Sequence, residues 1–168
     1  MTLALIPSLP GTTLNAVNTV GSWLAQDDRR SQPVDAVILA GNAVIPTIDA
    51  ACKIAAEQAI PLLISGGIGH STTFLYAAVA KHPHYNTLPT TGRAEASIVA
   101  DIARELWNIQ ADKILIDDPA TNCGGNARVS WDMVRHKGLN AGRGIELQGT
   151  TLQRTTMATF ASVSRGEA

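Results

Sequence analysis

Short apolar, β-branched runs alternate along this chain with stretches whose apolar residues recur every three or four positions. The first helical pattern covers residues 12–26. Leu14, Val17, Gly21 and Leu24 fall on one face, and Thr12 or Thr13 is placed to cap it. A polar connector follows, and residues 34–40 (VDAVILA) read as a strand buried on both faces, ended by Gly41-Asn42. Pro46 suits the first turn of a second helix, in which Ile48, Cys52, Ala55 and Ala59 share a face. Residues 61–65 (PLLIS) form a second strand, broken by Gly66-Gly67-Ile68-Gly69. Ser71 or Thr72 then caps a helix through Ala80. A loop over 82–92 leads to a helix over 94–107, with Ile98, Ile102 and Leu106 facing inward. Residues 113–117 (KILID) are a third strand. A helix over 126–137 places Ala127, Trp131 and Val134 on one face, with Gly138 behind its cap. Residues 144–148 form a weaker strand whose Glu146 and Gln148 suit a sheet edge, and a last helix spans 150–160.

Parallel strands are joined by crossovers, usually helices, so this order predicts an α/β fold. The expected architecture is an open, mostly parallel sheet with helices on both faces. The length fits a single domain over residues 1–168. Trp23, Trp107 and Trp131 fall inside helical patterns and are expected in the core.

Composition narrows the function classes. Apolar residues make up 45% of the chain and charged residues 16%, enough for a core and too little charge for a disordered tail. A net charge of -1 with scattered bases leaves no electrostatic footprint for nucleic acid or an anionic membrane. No run approaches the roughly 18 apolar residues of a membrane span. The N-terminus lacks the basic start of a secretory signal, so the expected location is the cytoplasm. Cys52 and Cys123 show no metal-binding spacing, and Cys52 reads as a small core residue. His82-Pro83-His84 has no further ligands in order beside it, so no metal is expected.

In open α/β sheets, ligands bind outside the carboxyl ends of the strands. Three polar or glycine-rich segments stand there: Gly41-Asn42, residues 65–71 and residues 121–128. In 65–71, glycines between strand and helix let backbone N–H groups approach a ligand, and the helix start favours anions. The same glycines also read as a tight turn chosen for chain reversal alone. The segment is neither a P-loop nor GxGxxG. Residues 121–126 offer the carboxamides of Asn122 and Asn126, suited to a ribose or a carboxylate; the plain alternative is helix capping. Arg93 and Glu95 bracket another helix start. Glu95 either takes a ligand hydroxyl or ammonium or is a dipole-favoured surface acid. Asp117 or Asp118 stands near where a methyltransferase keeps an acid, at a longer spacing.

The stretches VDAVILAGNAVIPTIDAACKIA, IPLLISGGIGHSTTFLY, TTGRAEASIVADIA, TNCGGNAR and LQRTTMATF together resemble the bacterial YdcF-like family, whose relatives include SanA- and ElyC-type envelope proteins. The similarity runs from about Leu14 to Phe160. It implies a Rossmann-like sheet, with S-adenosylmethionine or a related nucleotide as ligand. The family's polar positions correspond to Asn42, Ser65, Gly66, Gly67, Arg93, Glu95, Thr121, Asn122 and Asn126, and Gly69 joins them from the glycine turn. The chain departs from the family at Gly125, where the pattern has Glu, and at Gly149-Thr150, where it has an Asp-Pro-like step. Relatives also continue past this chain's last residue, so it is expected to lack their C-terminal part. Three functions stand as expectations. The first is binding of S-adenosylmethionine or a related nucleotide, with the reaction open. The second is a non-catalytic role in envelope homeostasis through a partner, which the missing Glu favours. The third is a nucleotide or phosphate-ester hydrolase with Glu95 or His70 as the acid–base group.

Overall fold

The alternation resolves into four short strands: β1 (Ala36–Ala40), β2 (Leu62–Ser65), β3 (Ile114–Asp117) and β4 (Gly144–Leu147). The computed structural model describes residues 8–27, 33–120, 122–137 and 143–166. Thr121, Gly138 and residues 139–142 lie outside the described residues. The strands stand in the order β3-β2-β1-β4, and each neighbouring pair is parallel. Register sets Ile38 beside Leu63 and Glu146, and Leu63 beside Leu115.

Among the described residues six α-helices accompany the sheet: α1 (Gly11–Leu24), α2 (Ile45–Gln58), α3 (Thr72–Lys81), α4 (Glu95–Glu105), α5 (Cys123–His136) and α6 (Gln153–Arg165). Side chains alternate across a strand, so Val37, Leu39, Leu62 and Ile64 share one face. They join Ile48 and Cys52 of α2, Leu75 of α3, and Ile98 and Ile102 of α4 in the main core. The other face carries Ile38, Leu63 and Leu115, which meet Met133 and Val134 of α5. Helices therefore cover both faces, in an open Rossmann-like arrangement. α6 packs on α5, and α1 packs on α6.

This layout follows from the strand order. The chain steps from β1 to β2 to β3, then returns past β1 to reach β4. Right-handed crossovers put helices of opposite travel on opposite faces. Accordingly α2 and α4 lie on one face and α5 on the other. The direction of travel reverses between β1 and β4, so the loops leaving those two strands diverge.

Several local expectations are corrected. Trp23 is 58% exposed and α1 buries none of its residues, because the helix sits outside α6 rather than on the sheet. Leu106 is also exposed, since α4 ends at Glu105 before the inward face returns. α1 has Pro10, not a threonine, at its cap position, and no side chain caps α3. α5 begins at Cys123 and is capped by Asn122, a turn earlier than the periodicity placed it. The last helix runs Gln153–Arg165 rather than 150–160. The weaker strand does take an edge of the sheet. No helix among the described residues is long and apolar enough to cross a membrane.

Candidate ligand site

Because all four strands are parallel, their carboxyl ends lie along one edge of the sheet. Glu95 sits behind that edge as the first residue of α4, and is only 3% exposed. Its Oε1 accepts hydrogen bonds from Ser71 Oγ at 2.7 Å and Thr72 Oγ1 at 2.8 Å. Thr72 Oγ1 also accepts the Gly69 N–H at 2.8 Å. The N–H of Glu95 donates to Gly67 O, and that of Ala96 to Gly66 O. The buried acid thus fastens the start of α3, the start of α4 and the glycine turn together. Its Oε2 has no hydrogen-bond partner among the described residues. It faces the Gly41 and Gly66 backbones: a Cβ on Gly41 would stand 3.0 Å from it. The crevice between Gly41, Asn42, Ser65 and Glu95 is too narrow to hold a water molecule.

The glycine turn does something other than offer free N–H groups. Gly66 N–H donates to Asp117 O at 2.8 Å and Gly67 N–H to Ala120 O at 2.5 Å. With Gly69 bonded to Thr72, all three amides are occupied within the protein. What the glycines supply is proximity. A Cβ on Gly67 would lie 2.5 Å from Asp118 O, and one on Gly66 would lie 3.0 Å from Gly41 Cα. The turn therefore locks the ends of β1, β2 and β3 against each other.

A second polar group gathers on the α5 side of the same edge. Ser65 and Asp117 are register partners, and Ser65 Oγ donates to Asp117 Oδ2 at 2.5 Å. Asp117 is 1% exposed, and its Oδ1 is buried without a partner. Asn122 caps α5 by accepting the Gly125 N–H at 2.9 Å. Asn126, 6% exposed, leaves Oδ1 buried and unpartnered, as does the Ser130 hydroxyl one turn on. At the reversal point, Asn42 accepts the Val44 N–H at 2.7 Å while its Nδ2 is buried and unpartnered. Gly149, from the loop after β4, approaches from the other side: a Cβ there would be 3.9 Å from Asn42 Oδ1. Buried polar atoms in folded proteins are nearly always paired, and Asn42 Nδ2, Asp117 Oδ1 and Asn126 Oδ1 depart from that rule near the carboxyl edge of the sheet.

Asn42, Ser65, Gly66 and Glu95 border one crevice, Gly67 and Gly69 brace the turn beside it, and Asn122 and Asn126 stand at the start of α5, on the other face of the sheet. Arg93 points its guanidinium elsewhere. It donates to Asp101 Oδ2 at 2.6 Å and to Pro89 O at 2.7 Å, tying the 82–92 loop to α4. Thr121 lies outside the described residues. His70 is exposed. His82 stacks on Tyr85 with ring centroids 4.0 Å apart, and its Nδ1 accepts the His84 N–H. The sequence reading took Ser71 and Thr72 as helix caps, with Ser71 closing the segment 65–71, and it did not single out Ser130. Ser71 and Thr72 look like ordinary caps, and nothing in a linear string links them to an acid more than twenty residues away. Asp117 carried a signal, as the one acid closing an apolar strand. No protein-family model matches the chain.

Proposed function

We propose that this protein binds a small, phosphate-free ligand of the adenosine class, with S-adenosylmethionine the leading candidate, at the carboxyl edge of its sheet. The observation that carries this reading is the set of buried, unpartnered polar atoms there: Asn42 Nδ2, Asp117 Oδ1 and Asn126 Oδ1. Two of the three are acceptors. They call for donors, such as ribose hydroxyls or an ammonium group, while the Asn42 amide calls for an acceptor, such as a ring nitrogen or a carboxylate. Glu95 Oε2 adds a carboxylate to the same edge. The electrostatics favour a neutral or cationic ligand over a phosphorylated one. The amides of the glycine turn are already bonded internally, so the usual anion cradle is not available. The narrow crevice implies that binding widens the space between Gly41, Asn42, Ser65 and Glu95, a rearrangement of a common kind.

A hydrolase has less support, because Glu95 is held by two hydroxyls and His70 is exposed apart from it. Calorimetry with S-adenosylmethionine, adenosine and ATP tests the proposal. The first two are expected to bind and ATP to bind more weakly. Asn126→Ala is expected to lose about 1–3 kcal/mol of binding by removing one hydrogen bond. Absence of binding by any adenosine compound would remove the reading and leave a partner-mediated envelope role ahead.

A further inference from the structure

α5 and α6 pack side by side, and a cavity of about 390 Å³ opens between them. Arg128, Trp131, Asp132 and Arg135 of α5 line one side, and Val163 and Arg165 of α6 line the other. That volume lies within the roughly 300–1,000 Å³ of small-ligand sites. The cavity shares no residue with the crevice at Gly41, Asn42, Ser65 and Glu95. Arg128 and Arg135 are exposed, and Trp131, between them in sequence, is half-buried. Neither arginine enters an ion pair among the described residues. Asp132 pairs with neither, although it lies within one helical turn of both. Arg135 stands in the last turn of α5 and Arg165 in that of α6, where a cation favours the helix dipole. Arg128 stands in the first half of α5, where the dipole gives a cation no advantage.

We propose that this cavity binds an organic diphosphate carrying a planar ring, of the nucleoside diphosphate class. Charge selects an anion, because the guanidinium groups of Arg128, Arg135 and Arg165 face the single carboxylate of Asp132. A guanidinium keeps its charge at any ordinary pH, and its paired N–H donors match a phosphate group in bidentate fashion. Arg128 and Arg135 stand about 10.5 Å apart along the helix axis. A lone carboxylate or inorganic phosphate engages one of these forks. A diphosphate ester has the length and the charge for both. The indole of Trp131 supplies a face on which a planar ring stacks, and Val163 adds apolar surface opposite. Exposed ion pairs contribute only about 0–1 kcal/mol each, so the site is weak, with dissociation on the order of 0.1–1 mM. It is separate from the ligand proposed for the carboxyl edge of the sheet and does not rest on that reading.

Uridine diphosphate, which lacks the adenine of the carboxyl-edge ligand, is the probe. It is titrated at low salt into the isotope-labelled full chain and followed by NMR on the indole N–H signals of Trp23, Trp107 and Trp131, the last assigned with Trp131→Phe. The Trp131 signal is expected to move saturably while the other two stay fixed, and the midpoint to rise with added salt. Arg128→Gln combined with Arg135→Gln is expected to weaken binding by roughly tenfold or more with an unchanged circular dichroism spectrum. Asp132→Asn is expected to tighten it about threefold, by removing the opposing charge. Uridine is expected not to bind, and pyrophosphate to bind more weakly than uridine diphosphate. No saturable shift up to about 10 mM, equal movement of all three indole signals, or full affinity in the double arginine variant would each overturn the proposal. Uridine binding as well as its diphosphate would remove the arginines from the account, and pyrophosphate binding as well would remove the ring; either result overturns the assigned class.

Discussion

Gly67 and Gly125 show how differently two glycines of one site are used. A Cβ on Gly67 would sit 2.5 Å from the Asp118 carbonyl oxygen and 2.9 Å from that of Ala120, both backbone atoms with little freedom. Gly67→Ala is therefore expected to cost more than about 2 kcal/mol, read as a fall in the urea midpoint. A Cβ on Gly125 meets nothing closer than 3.5 Å, and its N–H is already bonded to the cap residue Asn122. Gly125→Glu places an acid three residues after that cap, where its carboxylate can reach back to the cap N–H and favour the helix dipole. It is expected to raise stability by about 1 kcal/mol, so any added ligand binding has to be judged against that gain. Gly66→Val is not a clean probe of binding, because its Cβ would press on Gly41 Cα at 3.0 Å and disturb two strand ends at once. The cysteines diverge in the same way. Burial and the nearby Asp49 carboxylate push the Cys52 thiol up to about 12, whereas Cys123 is partly exposed. A native-state titration with a disulfide reagent is expected to find one fast thiol per chain, and Cys123→Ser to abolish it.

At the level of elements, β4 is the weak member of the sheet, and Glu146 is the reason. Its register partner is Ile38, so its side chain lies on the α5 face. Oε1 is buried without a partner, and burial raises the carboxyl to about 8. A carboxyl raised in the folded state holds its proton there after the unfolded chain has released it. Stability is therefore highest below the ordinary value of 4.5 and falls as pH rises through about 8. The expected loss between those limits is on the order of a few kcal/mol. Urea unfolding of wild type across that window should show the decline, and Glu146→Gln should flatten it. A wild-type curve already flat would mean that the carboxylate finds a partner or solvent. Legibility follows the same line. The apolar runs of β1 and β2 and the polar edge character of β4 were readable, because burial on two faces or one writes itself into the residue pattern, whereas the apolar run of β3 gave no sign that it forms the other edge and leaves Ile116 exposed. The inwardness assigned to Trp23 and Leu106 was misread, since periodicity reports an apolar face without reporting whether anything covers it.

For the molecule as a whole, the two sides of the sheet differ in substance. The face beneath α2 and α4 carries nearly all of the large buried side chains, and eight of the eleven residues of α4 are buried. The face beneath α5 has a small apolar core and then turns polar toward the carboxyl edge. Local opening free energy follows buried apolar contact. Hydrogen exchange is therefore expected to be slowest in β1, β2 and α4, faster in α6, which buries only Thr156, and fastest among the helices in α1. Equal protection of α1 and α4 would contradict this picture.

By itself the sequence determined the class of fold, the positions of the four strands, the edge placement of the last strand and the edge of the sheet at which the polar residues gather. These are consequences of local periodicity and of the rule that parallel strands need crossovers. Only the tertiary structure decided that the glycine amides are spent on Asp117, Ala120 and Thr72, that Arg93 serves Asp101, and that Glu95 clamps two helix starts. It alone decided that α1 is left uncovered. Each of these depends on which groups, distant in sequence, come within about 3 Å of one another, and hydrogen-bond reach carries no trace in the linear order of residues.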